Sequence, residues 1–226
     1  MKKIKTKIAV FAFSLVSFLG IQSASAIENF AVGLGMQYHG FYATGEESSS
    51  SSGDGVRTIT REDGAFDADS PAIFIEAAVN DSVTFGIEYI ASDITTPTNT
   101  NLQAETNYSG SGVTNTVKAS FEDHTTFYAN INMPFNTYLK LGYHMVDVAT
   151  QENLGTGGAY NDVDTTGYNV GLGYNHNVDN GVFIRAEVSV SSYEDVDAAN
   201  VNETDKKIKV FDMYGATAQI KVGKSF

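Results

Sequence analysis

Cysteine is absent from the 226 residues, so no disulfide braces the chain and no thiolate is available as a nucleophile or metal ligand. Proline occurs only three times, which leaves long stretches free of the residue that most readily interrupts a strand. Long apolar runs are equally scarce. The longest, from Ile8 to Gly20, is about 13 residues, short of the roughly 20 that a membrane-crossing helix needs. Insertion as helices is thereby excluded, and any residence in a membrane has to be through strands. Basic residues are few, 14 Lys and Arg against 27 Asp and Glu, which argues against nucleic acid as a partner.

What is present begins with an export pattern. Lys2, Lys3, Lys5 and Lys7 precede the apolar run, and Ala24-Ser25-Ala26 supplies the small-x-small site that a signal peptidase accepts. Residues 1–26 are therefore expected to be a cleaved signal peptide, and residues 27–226 a single mature domain. With the four lysines gone, ten basic residues face 27 acidic ones.

The mature sequence alternates with period two, which predicts strands. From Asn29 to about Ala43, Phe30, Val32, Leu34, Met36, Tyr38 and Tyr42 share one face, while Gly33, Gly35, Gln37 and His39 share the other. The split recurs over 72–79, 83–92, 119–133, 137–149, 165–175, 182–193 and 208–226, giving eight strands. Short turns (Asn80-Asp81, Pro134 to Asn136, His176 to Gly181) alternate with long segments of about 28, 26, 15 and 14 residues. That sorting predicts an all-β, antiparallel up-and-down transmembrane barrel of about eight strands, with tight periplasmic turns and long extracellular loops. A further hairpin within 95–116 would raise the number to ten. The stretches Glu46 to Gly55, with five consecutive serines, Thr95 to Thr116, and the acidic Glu194 to Asp205 read as solvated, mobile loops.

A soluble barrel turns its apolar face inward and a membrane barrel turns it outward, so the opposite face decides between them. Here that face carries Glu76, Glu88, Glu122, Lys140, Arg185, Glu187 and Lys221, with Gln37, Asn130, Asn169 and Gln219. Enclosed charges must pair, which predicts a lumenal charge network of Glu76, Glu88, Lys140, Arg185, Glu187 and Lys221. Phe74, Tyr128, Tyr138, Phe183 and Phe211 are expected to fill the space left inside by glycines. On the apolar face, Tyr38, Tyr89, Phe127, Tyr143 and Tyr168 form an expected outer aromatic belt, roughly 20 Å from a lower group of Phe30, Phe135, Tyr174 and Phe226.

The last strand places Tyr214, Ala216, Ala218, Ile220, Val222 and Phe226 on one face and Thr217, Gln219 and Lys221 on the other. This is similar to the C-terminal signal of outer-membrane barrels. The resemblance implies that Phe226, with Val222 and Ile220, is read by the barrel-assembly machinery; Lys224 departs from the usual apolar residue, at an edge where lysine can snorkel. The mature chain as a whole resembles the small eight-stranded barrels of the OmpA transmembrane-domain, OmpX and Opa-like superfamily. That resemblance implies a bacterial outer-membrane location, contact with lipid and lipopolysaccharide, and a structural or surface-contact role. No peptidoglycan-binding domain is expected, since the sequence stops at Phe226.

Chemistry is sparse. His39, His124 and His144 point inward and His176 lies in a turn, but no serine at catalytic spacing on the same strand accompanies any of them, so no catalysis, cofactor or metal is expected. Only the strands of His124 and His144 are neighbours, which disfavours a three-histidine metal site. Glu194, Asp195, Asp197, Glu203 and Asp205 lack the spacing and internal glycine of a calcium loop, and divalent ions bridging that loop to lipopolysaccharide phosphate form a weaker reading. A small passive channel for polar or amphipathic solutes is the alternative to the surface role.

Overall fold

The alternating segments form strands in a computed structural model, which describes residues 29–50, 57–103, 113–154, 159–202 and 206–226. The expected signal peptide lies outside the described residues. In chain order the strands are β1 (Phe30–Ser50), β2 (Arg57–Asn80), β3 (Val83–Ile90), β4 (Ile94–Thr95), β5 (Asn99–Gln103), β6 (Val113–Met133), β7 (Thr137–Leu154), β8 (Val163–Asn177), β9 (Val182–Tyr193), β10 (Val196–Ala199) and β11 (Lys207–Ser225). Eight of them make an antiparallel ring, β1-β2-β3-β6-β7-β8-β9-β11, closed by β11 on β1. The short strands β4 and β5 lie on β6, and β10 lies on β11. The segment 95–116 thus contributes an outer strand without enlarging the ring.

The tight turns follow from local chemistry. The Asn80 side chain accepts the backbone N–H groups of Ser82 and Val83 at 2.8 and 2.9 Å, closing β2 onto β3. Phe135 and Asn136 take φ of 62° and 57° between β6 and β7, the left-handed pair that matches hairpin twist.

Inside the lower half, cross-strand pairs match a ring to a glycine: Phe74 with Gly33, Tyr128 with Gly86, Tyr138 with Gly173 and Phe183 with Gly223. A Cβ at Gly173 would meet Tyr138 Cζ at 2.1 Å, so the ring lies where a side chain would stand. Gly173→Ala is therefore expected to cost about 1–3 kcal/mol of stability through overpacking, measured as a lower urea midpoint in detergent. An unchanged midpoint would show that Tyr138 has room to move.

Three features depart from simple alternation. First, the expected first loop is largely strand: β1 and β2 stay paired to Ser50 and Arg57. The polar residues there form a two-stranded wall rising above the membrane. Second, a bulge on β6 shifts register between Glu122 and Thr125, with Asp123 at φ 47°. Phe121 and His124 both line the interior, while Glu122 pairs with Asp147 on the outer face; the expectation that Glu122 faces the lumen is thus corrected. Third, Asp212 on β11 has φ 51° where the β1 pairing slips between Tyr42 and Thr44. Beyond it Val210 and Ile208 line the interior, and Phe211 instead packs against Arg61 and Lys209, so Phe211 is not a lumen-filling ring as expected.

Candidate functional site

Six charged side chains converge in the lower lumen from β2, β3, β7, β9 and β11. Lys140 Nζ lies 2.9 Å from Glu187 Oε1 and 3.5 Å from Glu88 Oε1. Lys221 pairs with Glu88 and sits 3.8 Å from Glu187 Oε2. Arg185 Nη1 meets Glu76 Oε1 at 2.5 Å, and its Nε donates to Asn175 Oδ1 at 3.0 Å. Tyr128 and Tyr138 donate their hydroxyls to Glu76 and Glu187, each at 2.7 Å, and Gln219 donates to Glu187. The Lys140 ammonium also lies 4.6 Å from the centre of the Tyr128 ring. Three carboxylates face three cations, so the layer is neutral, and with Lys221 only 1% exposed it is closed to bulk water.

Above this plug is a layer of buried imidazoles. His39 Nε2 lies 2.9 Å from Ser70 Oγ and its Nδ1 3.0 Å from Thr217 Oγ1. His144 Nε2 lies 3.0 Å from Ser191 Oγ, while its Nδ1 meets Thr126 Oγ1 at 2.8 Å and His124 Nε2 at 3.2 Å. Serine and histidine thus meet between strands, His39 and Ser70 across the neighbours β1 and β2 and His144 and Ser191 from β7 to β9 with β8 between them, pairings that inspection along single strands misses.

Higher still the interior opens into a cup of about 550 Å³, lined by apolar groups that include Phe41, Phe66, Ile94, Phe121, Val146 and Val148. Phe41, Phe66 and Phe121 stack with centroids 5.1–6.2 Å apart and planes within 26°. His39 stacks under Phe41, and Tyr193 on His144, forming the floor. The β6 bulge creates this cup, because it turns Phe121 inward. Nothing in the alternation of the sequence announces it.

The wall of the cup has a seam. β3 pairs with β2 only up to Ala72 and Ile90, followed by one bond from Ala91 N–H to the Pro71 carbonyl at 3.0 Å. Pro71 has no N–H to return, so the ladder ends there. Above it, among the described residues, β2 forms no pairing with β4 or β5, both of which face β6. Side chains close the gap: Ile94 packs with Ala72 and Ile90, against Phe66 and Phe121.

The outer surface is apolar over the lower barrel, with Leu34, Val170, Leu172, Val188, Val190 and Ile220 all exposed. Tyr38, Tyr143 and Tyr168 are exposed on that surface and Tyr89 and Phe127 are half-buried; Tyr143 and Tyr168 meet edge-on at 5.5 Å. Tyr89 donates its hydroxyl to Asp123 at 3.0 Å. Ile220, Val222 and Phe226 are exposed along β11 and at the chain's end, and the Phe226 N–H reaches the Phe30 carbonyl at 2.8 Å. Two out-facing rows above Tyr143, Asp147 stands in register with Glu122 on one side and Asp164 on the other. Burial, and next Asp164, push the Asp147 carboxyl up to about 6. In the acidic upper segment, Asp195 pairs with Lys209 at 2.9 Å and Glu194 accepts from Thr166 at 2.7 Å.

No family model matches the chain, and no curated protein matches it. Solved structures do. The outer membrane protein OprG from Pseudomonas aeruginosa is similar at 10% identity, with 88% of this chain and 100% of that one covered and a TM-score of 0.50. The outer membrane protein AlkL in DMPC bilayers is similar at 11% identity, with 91% and 93% covered and a TM-score of 0.45. The outer membrane protease OmpT from Escherichia coli is similar at 7% identity, with 88% and 97% covered and a TM-score of 0.45. Such identities speak to fold. With the apolar exterior and the enclosed charges, the chain is a bacterial outer-membrane β-barrel. A protease among the similar barrels corrects the expectation of a non-catalytic chain: that exclusion does not follow from this fold and is withdrawn.

Proposed function

We propose that the barrel captures small apolar or amphipathic molecules at the cell surface and releases them sideways toward the membrane. The observation that carries this reading is the apolar cup of about 550 Å³ seated directly above a neutral, buried ionic plug. A polar solute would have to cross Lys140, Glu88, Glu187 and Lys221, whereas an apolar one finds favourable surface above them and a wall at the β2 to β4 seam that no ladder holds. The test is NMR of the barrel with labelled phenylalanine in nanodiscs, titrated with naphthalene. Saturable shifts of Phe41, Phe66 and Phe121 support capture; shifts confined to lipid-facing rings contradict it. A passive channel for polar solutes is the competing reading, and a silent planar bilayer separates it from capture.

The surface-contact role draws support from the height of the β1–β2 wall, paired out to Ser50 and Arg57. Similarity to the OmpA, OmpX and Opa-like barrels, contact with lipopolysaccharide, and cleavage after Ala26 belong to this reading. So does recognition of Phe226, Val222 and Ile220 by the assembly machinery. Deleting Phe226 is expected to lower the folded yield in cells at least severalfold while detergent refolding in vitro proceeds; equal yields in cells would remove the signal role.

A further inference from the structure

The floor of the cup carries a hydrogen-bond chain with a direction. His39, His124 and His144 are all buried, and among the described residues no carboxylate bonds to any of them, so each ring is neutral and carries one proton. The chain starts at Asn169. Its amide meets the Val190 carbonyl at 3.5 Å, and a carbonyl only accepts, so the atom there is the nitrogen Nδ2. That nitrogen donates to Ser191 Oγ at 3.1 Å. Ser191 has its own proton to pass on, and His144 Nε2 stands 3.0 Å away as the acceptor.

A neutral imidazole that accepts at one nitrogen holds its proton on the other. His144 therefore donates from Nδ1, toward Thr126 Oγ1 at 2.8 Å and His124 Nε2 at 3.2 Å. Two N–H groups do not face each other at that distance, so His124 Nε2 is bare and its proton is on Nδ1. Of the three imidazoles, His124 is the one that lines the cup. Among the described residues, none accepts a hydrogen bond from its Nδ1. A buried donor left without an acceptor is costly, so the cup holds a place for one.

Charge narrows the class of acceptor. The wall of the cup includes Glu46, Glu47, Glu62 and Asp63 against Lys118 and Lys206, so an incoming anion is repelled. The cations beneath the floor, Lys140 and Lys221, are already held by Glu88 and Glu187. An ionised head would be buried without a counter-charge, whereas a carbonyl oxygen needs only the one donor. The rest of such a molecule meets the stacked rings of Phe41, Phe66 and Phe121.

We propose that the cup selects neutral molecules that join an apolar body to one carbonyl-type acceptor, aryl ketones for example, and that the His124 Nδ1–H is the donor that recognises them. The selection rests on capture in the cup and adds to it the chemistry of what is captured.

The test titrates the mature barrel in nanodiscs, wild type and His124→Phe, with naphthalene, acetylnaphthalene and naphthoate, followed by the shifts of the labelled phenylalanines. The ratio of acetylnaphthalene to naphthalene affinity is expected to fall about threefold to tenfold in His124→Phe, the range of one neutral hydrogen bond. Comparing each ligand between the two proteins in the same lipid cancels its partition into the disc. Naphthoate is expected to leave the phenylalanine shifts unchanged where acetylnaphthalene saturates them. An unchanged ratio while naphthalene still binds, or saturation by naphthoate, overturns the selection and leaves capture standing. If naphthalene does not bind the wild type at all, capture falls and the selection with it. Nitrogen NMR of the wild type with labelled histidine does not depend on how a variant folds. His124 is expected to be protonated at Nδ1, and that resonance to move with acetylnaphthalene but not with naphthalene. A bare Nδ1 would overturn the assigned donor.

Discussion

Lys221→Met is expected to lower the unfolding free energy by about 3–5 kcal/mol, the range for removing one partner of a buried ion pair. The Lys221 ammonium is 1% exposed and is shared between Glu88 and Glu187, with the Phe74 and Tyr128 rings 5.2 and 5.3 Å away. Without it, three carboxylates share two cations in a space closed to water, and Lys140 cannot neutralise both of its neighbours. The loss comes from the stranded charge rather than from the bond, so Lys221→Met combined with Glu88→Gln should lose clearly less than the sum of the two single changes. Urea titration in detergent, read as the fraction that runs as folded barrel on an unheated gel, gives all four corners of this cycle. If Lys221→Met fell within 1 kcal/mol of the wild type, the layer would be hydrated rather than sealed.

Phe121→Ala is expected to weaken binding of naphthalene about tenfold to a hundredfold, or about 1.4–2.7 kcal/mol. Phe121 stacks on both Phe41 and Phe66, so its removal opens one side of the aromatic trap. It sits beyond the plug, and the ion pairs below should persist. Leu141→Ala, on the exposed outer wall of β7, is the matched control and should bind as the wild type does. Affinity for Phe121→Ala within twofold of the wild type would move the site out of the cup.

These two regions differ in how far the sequence revealed them. The plug was legible because between the turns and the belt the strands are regular: apart from Lys224 at the edge, one face carries the ionised groups, and the short turns fix which residues share a height. Glu76, Glu88, Lys140, Arg185, Glu187 and Lys221 are brought together on that logic alone. The cup was not legible, since a single extra residue at Asp123 or Asp212 reverses the facing of everything above it. Neither position is a glycine, the usual flag for left-handed backbone, and so Glu122 and Phe211 were assigned to the wrong side. The upper segments misled for a related reason. Serines, threonines and acidic residues read as solvated loop, yet in β1 and β2 they pair across a hairpin that its backbone ladder holds out to Ser50 and Arg57 without apolar alternation. The seam depends on Pro71, visible in the sequence, but its meaning requires knowing that its carbonyl faces β3.

The absence of cysteine makes the central claim directly measurable, because each introduced cysteine is the sole site for a spin label. Labels at Leu172, Val188 and Val190, which are exposed on the outer wall, can be compared in lipid bilayers with labels at Ser189 and Thr217 on the inner face. Residues of one strand then alternate between lipid and lumen. Outer labels should relax strongly with dissolved oxygen and weakly with a water-soluble nickel chelate, while inner labels respond little to oxygen. Outer labels that respond to the chelate and not to oxygen would place the apolar wall in water, and the inside-out barrel would be wrong.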